Sequence, residues 1–207
     1  MSKFFSPRSE VFMFAVAALS ATAFSAACSK HDASPAPAEK VQTQSAQDLQ
    51  GSWKSTCSDA QLFGLSESSS LTVDGSKATQ VTSTSAQGDC ASTAVEVTQM
   101  ATLTPTTVNG MNHVDITVTS AKVKPLNETG VGILNLASFC GMTDWKVGEE
   151  RDITQQSGGG RCYPKLPKTY YNVYGIEDGK LYFGSGDINH PEYRPTILNR
   201  QRMFTRL

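Results

Sequence analysis

The chain has 207 residues, of which 39% are hydrophobic and 18% are charged, and its formal net charge at neutral pH is −1. Because Lys and Arg do not cluster, the positive surface that nucleic acids require is missing, and nucleic acid is excluded as an expected partner. Residues 48–207 are long enough for one domain with a core and too short for two ordinary domains.

The first 27 residues have the layout of a secretory signal peptide. Lys3 and Arg8 precede residues 11–27, a run without charged side chains that is rich in Ala and Phe. This run is shorter than the ~20 residues of a membrane-spanning helix, and it ends in small residues rather than in a basic cluster. We therefore expect residues 1–27 to be removed on export.

The residues around Cys28 predict how the mature chain is anchored. Residues 24–29 read Phe-Ser-Ala-Ala-Cys-Ser and resemble the lipobox of bacterial lipoproteins, with Ser25 where Leu is usual. The resemblance implies that Cys28 carries acyl chains, which hold a protein firmly on a membrane. It also implies the outer membrane, since Ser29 rather than Asp follows. The alternative is cleavage at the same bond by ordinary signal peptidase, which leaves Cys28 as a free thiol.

The remaining cysteines predict disulfides. With Cys28 lipidated, four of the five cysteines remain, namely Cys57, Cys90, Cys140 and Cys162. No Cys-x-x-Cys spacing indicates a zinc site, and exported proteins oxidise their thiols. Three pairings are possible, and we favour the sequential one, Cys57 with Cys90 and Cys140 with Cys162. Each bond is expected to stabilise the fold by roughly 3 to 4 kcal/mol in the chain-entropy account.

Residues 28–47 predict a tether between the lipid and the domain. They alternate Pro with Ala and then continue in Gln, Thr and Ser, so they have almost nothing to bury. His31 and Asp32 lie in this segment and are too few to hold a metal ion. The folded domain is expected to span residues 48–207.

Alternating segments throughout the domain predict antiparallel β structure. Segments 69–73 and 78–82 flank Asp-Gly, segments 94–103 and 113–123 flank Asn-Gly, and segments 170–176 and 181–183 flank Asp-Gly. Each pair is typical of two strands joined by a tight turn. Residues 202–207 predict a short last strand, and the apolar residues 131–139 predict the one helix. The expected fold class is all-β, an antiparallel barrel or sandwich.

The start of the domain favours the barrel. Residues 51–53, Gly-Ser-Trp, resemble the Gly-x-Trp opening of lipocalin and calycin barrels. The resemblance implies that Trp53 plugs the closed end and that an Arg of the last strand covers its ring. Arg206 is the favoured candidate and Arg202 the second, because both alternate onto the face of Phe204. The spacing of Trp53, Cys57 and Cys90 also resembles the lipocalin-like ectodomain of animal Wnt inhibitors, which holds a lipid.

A second motif predicts a cap on the barrel. Residues 139–145 and Cys162, followed by Arg194 and Pro195, resemble a pattern of uncharacterised proteobacterial lipoproteins. We expect Asp144 and Trp145 to close one barrel end, tied by a disulfide to the glycine loop 158–160. In the alternative interpretation, the cap is the rim of an apolar ligand pocket. The candidate lining residues are Trp145, Tyr170, Tyr174, Tyr182 and Phe183.

The sequence contains no recognisable catalytic constellation. His113 lies beside a turn, and His190 lies with Asp187 in a polar loop; neither has the context of a base beside a nucleophile. The glycine loop 158–160 lacks the Gly-Lys-Ser/Thr of a phosphate loop. We therefore expect no enzymatic activity, no cofactor and no metal ion.

Two functional hypotheses remain. The first is a binding module, a monomeric lipocalin-like lipoprotein that holds a small hydrophobic or amphipathic ligand at the cell envelope. The second is a structural or interaction lipoprotein whose barrel is filled by its own side chains and whose loops contact another envelope component. A continuous interior cavity of ~300 Å³ or more would favour the ligand.

Overall fold

A computed structural model describes residues 46–60, 65–88, 90–156 and 162–207. The expected signal peptide, the lipidation site Cys28, residues 29–45 of the expected tether and the glycine loop 158–160 lie outside the described residues. Within the described part of the chain, no helix combines the length and the apolar character needed to cross a bilayer. A short 3₁₀ helix, Ala46–Leu49, leads into the first strand.

The described residues form antiparallel β-strands and one α-helix. The strands are β1 (Gly51–Ser55), β2 (Ser58–Ala60), β3 (Leu65–Asp74), β4 (Lys77–Ser85), β5 (Thr93–Val108), β6 (Met111–Pro125), β7 (Arg151–Asp152), β8 (Lys168–Glu177), β9 (Lys180–Gly184) and β10 (Leu198–Arg206). Eight of them, all except β2 and β7, follow one another in chain order around a barrel. Pairing of β10 with β1 closes the ring, which confirms the predicted antiparallel barrel.

The three predicted hairpins are confirmed, with longer strands than the sequence pattern indicated. Asn109 and Gly110 both have positive φ, as do Asp178 and Gly179. A two-residue turn with positive φ at both positions matches the twist of the strands it joins, and Asn, Asp and Gly accept that conformation most easily. The last strand, β10, begins at Leu198, four residues before the predicted start.

Side chains alternate between the barrel interior and the outside. Along β3, Glu67, Ser69, Leu71 and Val73 are buried, and the residues between them are more exposed. The apolar core contains Trp53, Leu71, Val114, Ile116, Leu181 and Phe204, among others. We call the barrel end that holds Trp53 the base. The interior is apolar there, and toward the other end polar side chains such as Glu67 and Ser69 are buried among apolar ones such as Val97 and Val123.

The helix α1 (Glu128–Leu136) differs from the predicted 131–139. The side chain of Asn127 accepts a hydrogen bond from the backbone N–H of Gly130, so the helix is capped and begins three residues earlier. It packs closely on the start of β5, since a Cβ on Gly130 would lie 2.0 Å from the carbonyl oxygen of Ala94. A separate 3₁₀ turn, Phe139–Gly141, follows the helix.

Residues 126–156 and 162–167, between β6 and β8, form the cap. The cap lies at the end opposite the base, where β5 begins and β6 ends. Both predicted disulfides are confirmed, Cys57–Cys90 and Cys140–Cys162. The first lies beside the start of β3, because Ser66 accepts a hydrogen bond from the Cys90 N–H, and the second lies within the cap. Both covalent bonds therefore brace the same end of the barrel.

Candidate functional site

The base is closed by Trp53. Its ring is 1% exposed, and its Nε1–H donates a hydrogen bond of 2.9 Å to the carbonyl oxygen of Leu49. Arg206, which pairs with Trp53 in register, lies over the indole with its Cζ 5.2 Å from the ring centroid. The same guanidinium donates to the Gln50 carbonyl oxygen at 2.6 Å. The arrangement is a stacked cation held by the backbone.

An ion pair lies inside the barrel. Arg202 Nη2 is 2.9 Å from Glu67 Oε1, and the two side chains are only 16% and 6% exposed. Their strands, β10 and β3, flank β1, which ends at Ser55 and leaves room for the two side chains to meet. Removing either charge would leave the other buried without compensation, which is strongly destabilising.

Hydroxyl and amide groups continue from the ion pair across the inner face. Ser69 Oγ receives hydrogen bonds from Arg202 Nη2 at 3.4 Å and from Gln80 Nε2 at 3.4 Å, and it lies 3.1 Å from Thr82 Oγ1. Ser69 pairs with Thr82 across β3 and β4, and Gln80 pairs with Gln99 across β4 and β5. The strand register therefore places these side chains side by side.

The polar cluster contains more hydrogen-bonding groups than it has partners for. We define it as Glu67, Ser69, Gln80, Thr82, Gln99, Tyr170 and Arg202. Four of its buried atoms, each from a different strand, make no hydrogen bond to any residue that the structure describes: Gln80 Oε1, Gln99 Nε2, the Tyr170 hydroxyl and Arg202 Nε. The residues Gln80, Gln99 and Tyr170 are 5%, 2% and 3% exposed. An unpartnered buried polar group costs ~1 to 3 kcal/mol, so four together are a large fraction of a domain's stability.

The cap is stabilised by aromatic packing and by a second stacked arginine. The Phe139 ring packs 6.3 Å from the centroids of both Trp145 and Tyr163. Arg151 Cζ lies 5.2 Å from the centroid of Trp145, and the same guanidinium pairs with Asp144 at 2.6 Å and Glu149 at 3.0 Å. The hydrogen bond from Arg151 lowers the pKa of Asp144 below its ordinary value. Asp144 thus helps to place Arg151 over Trp145.

Tyr163 links the cap to the polar cluster. It follows Cys162, so the Cys140–Cys162 disulfide fixes its backbone in the cap. Burial and the charge of Glu67 raise the pKa of Tyr163 above its ordinary range. Burial also raises the pKa of Tyr170 to about 12. Both phenols remain protonated at neutral pH and are therefore hydrogen-bond donors near the polar cluster.

The five aromatic residues predicted to line a pocket occupy different places. Tyr170, Tyr174 and Phe183 lie on inner faces of β8 and β9, and Phe183 packs edge-on against Phe204 at 5.8 Å. Trp145 lies in the cap. Tyr182 alternates onto the outer face of β9, where Arg200 Cζ lies 5.7 Å from its ring centroid. Of the four that lie in strands, Tyr170 alone has a buried hydroxyl without a partner among the described residues, and we count it in the polar cluster for that reason.

The two histidines of the domain lie apart from this interior. Burial and the charge of Arg194 lower the pKa of His113, which points outward from β6. His190 is largely exposed, and its Nδ1 lies 3.8 Å from Glu192. The Asp187 carboxylate instead accepts hydrogen bonds from Asn189. Among the described residues, no cluster of three or more His, Cys, Asp or Glu is arranged to hold a metal ion.

Sequence reasoning missed most of the polar cluster. The first strand of the first predicted hairpin started at Ser69. In the structure this strand, β3, starts at Leu65 and brings Glu67 onto the inner face. The two-residue alternation of Glu67, Ser69, Leu71 and Val73 was the signal that could have revealed it. Arg202 was considered only as a partner of Trp53, although its face of β10 also points toward β3.

Comparison of the chain with protein-family models and with curated proteins finds no match. The geometry therefore defines the class of site: a closed barrel with an apolar base, a disulfide-braced cap and an interior polar cluster that has unused hydrogen-bonding capacity.

Proposed function

We propose that the protein is an exported outer-membrane lipoprotein, anchored through Cys28, whose lipocalin-like barrel binds a small amphipathic molecule. The compartment is supported by the signal-like residues 1–27 and by the two disulfides, which persist only in oxidising surroundings. The ligand would place its polar part at the polar cluster and its apolar part against the aromatic side chains of the interior.

One observation carries the binding proposal. Four buried polar atoms from β4, β5, β8 and β10 face the interior without a hydrogen-bond partner in the described part of the chain. Buried polar groups in folded proteins are almost always hydrogen-bonded to protein, water or ligand. Ligand sites have this composition, with mostly apolar walls and a few polar groups at fixed positions.

Native mass spectrometry tests the proposal. The full chain carrying Cys28→Ser, purified from its own host without detergent, is expected to show a bound molecule of a few hundred daltons that denaturation releases. The double variant Gln80→Leu/Gln99→Leu should lose that molecule. Thr98→Val, a neighbouring change on the outer face of β5, should retain it and serves as the matched control.

The second candidate is an interaction lipoprotein with a filled barrel. It is favoured by exposed apolar side chains in the loop before β10, where Tyr193 and Ile197 are 63% and 71% exposed. A protein that carries no small molecule, and whose unpartnered atoms bind only ordered water in a crystal structure, would support this candidate and overturn the binding proposal.

A further inference from the structure

We infer that the polar group of the ligand is uncharged and both donates and accepts hydrogen bonds, as a primary amide or an alcohol does. This inference rests on the proposed binding function and specifies its ligand class. It comes from two properties of the polar cluster: the charge that is already balanced there, and the kinds of atom that are left without partners.

The charge balance excludes ionic head groups. Glu67 and Arg202 neutralise each other at 2.9 Å inside the barrel. A carboxylate would enter beside Glu67. One further cation is near, Lys168, whose Nζ lies 5.9 Å from the Tyr170 ring centroid, but its charge also acts on Asp187. An ammonium group would enter beside both Arg202 and Lys168. Tyr163 and Tyr170 do not change this balance, because a phenol is already neutral at pH 7 and burial raises the pKa of both further. A buried charge without a partner is unfavourable by several kcal/mol, so a neutral group is preferred.

The unpartnered atoms define the hydrogen-bonding pattern. Gln99 Nε2 and Arg202 Nε are donors, Gln80 Oε1 is an acceptor, and the Tyr170 hydroxyl can be either. A carboxylate offers only acceptors and would leave Gln80 Oε1 without a partner. An ammonium group offers only donors and would leave Gln99 and Arg202 unpaired. An amide or a hydroxyl group satisfies both kinds of atom.

Four probes with the same twelve-carbon chain test the inference: dodecanamide, dodecanol, dodecanoate and dodecylammonium. Their dissociation constants are measured by calorimetry at neutral pH with the full chain carrying Cys28→Ser. We expect the amide and the alcohol to bind at least about tenfold more tightly than either ion, a ratio that corresponds to a free-energy difference of about 1.4 kcal/mol.

Variants of the ion pair should then change the preference in opposite directions. Glu67→Gln leaves Arg202 uncompensated and should favour dodecanoate by about tenfold relative to the amide. Arg202→Gln leaves Glu67 uncompensated and should favour dodecylammonium to a similar extent. Glu96→Gln removes an outward-facing charge of β5 and should leave the order of the probes unchanged.

The outcomes separate this inference from the binding proposal. If an ion binds the unmodified barrel as tightly as the amide and the alcohol, the uncharged-ligand inference is wrong and the binding proposal survives. If none of the four probes binds and native mass spectrometry finds no bound molecule, the binding proposal itself is overturned. The series on the unmodified barrel decides the matter even when an ion-pair variant does not fold.

Discussion

The two ends of the barrel interior differ in the kinds of side chain that fill them. At the base, Trp53, Leu71 and Phe204 fill the space with apolar volume, and the indole N–H has its partner. Toward the cap, the inner faces carry Glu67, Arg202 and amides with unused hydrogen-bonding atoms. Hydrophobic burial stabilises the first arrangement directly, whereas unpartnered buried polar groups destabilise the second. Both disulfides accordingly lie at the polar end.

Both ends contain an arginine stacked on a tryptophan, so the two ends can be compared directly. At each end an arginine covers a tryptophan at 5.2 Å, Arg206 over Trp53 and Arg151 over Trp145. Arg206 is held by a backbone carbonyl, and Arg151 is held by carboxylates. The chain has only these two tryptophans, so single-tryptophan variants report on each end separately.

The largest expected effect is the loss of stability caused by a substitution in the base. Trp53→Ala removes a fully buried ring and leaves a cavity, which should lower the free energy of unfolding by ~3 to 5 kcal/mol. Urea unfolding followed by circular dichroism measures the change. Lys54→Ala, an exposed neighbour in β1, should leave the midpoint almost unchanged. Equal midpoints for Trp53→Ala and the unaltered chain would show that the base does not depend on this side chain.

The next largest effect is the loss of stability caused by removing a disulfide from the polar end. Replacing Cys140 and Cys162 together by Ser opens a loop with a sequence separation of 22 and should destabilise the fold by roughly 3 to 4 kcal/mol. The loss should be concentrated in the cap, because the Cys140–Cys162 bond joins two positions within it. Hydrogen exchange is expected to accelerate in residues 139–153 and to stay slow in β1 and β10. Uniform acceleration at both ends would contradict the comparison.

A smaller effect is expected from replacing one amide of the polar cluster. Gln99→Met keeps the length of the side chain and removes an unpartnered buried amide, so the ligand-free protein should gain ~1 to 3 kcal/mol of stability. The same variant should bind dodecanamide less tightly. A gain in stability together with a loss of affinity is typical of a residue whose polar group serves binding at the expense of stability. A variant that is less stable than the parent without ligand would mean that Gln99 has a partner.

The sequence was sufficient for the antiparallel barrel and for its disulfides. Alternation and three turn dipeptides predicted the hairpins, and cysteine order predicted both disulfides. The hairpins depend on local conformation and on apolar burial, which one strand reveals by itself, whereas the disulfides followed from the order of the cysteines along the chain. The start of α1 was misplaced because the capping role of Asn127 depends on the backbone N–H of Gly130, which an apolar pattern does not register.

The polar cluster could not be predicted from the sequence, for a different reason. Glu67 and Arg202 are 135 positions apart, and only closure of β10 onto β1 brings them to one place. Gln80 and Gln99 look like ordinary polar strand residues until the register places both on the inner face. The sequence gives each residue type, but the closed barrel decides which polar residues are buried together.

The smallest effect separates the two arginine–tryptophan stacks by pH. In the folded protein, the hydrogen bond from Arg151 holds the pKa of Asp144 below its ordinary value of 3.8. A lowered folded-state pKa means that this pairing stabilises the cap above that pH and is lost as the pH falls through the folded-state pKa. Protonated Asp144 then holds Arg151 less firmly over Trp145.

Fluorescence of Trp145 in a Trp53→Phe variant should therefore change on acidification below about pH 4. Replacing both carboxylates that hold Arg151, by Asp144→Asn together with Glu149→Gln, should remove that step. In the reciprocal Trp145→Phe variant, Trp53 should be insensitive over the same interval, because Arg206 is held by the Gln50 carbonyl, which does not titrate. If both tryptophans respond together, the acid step is global unfolding, and the two ends are not independently stabilised.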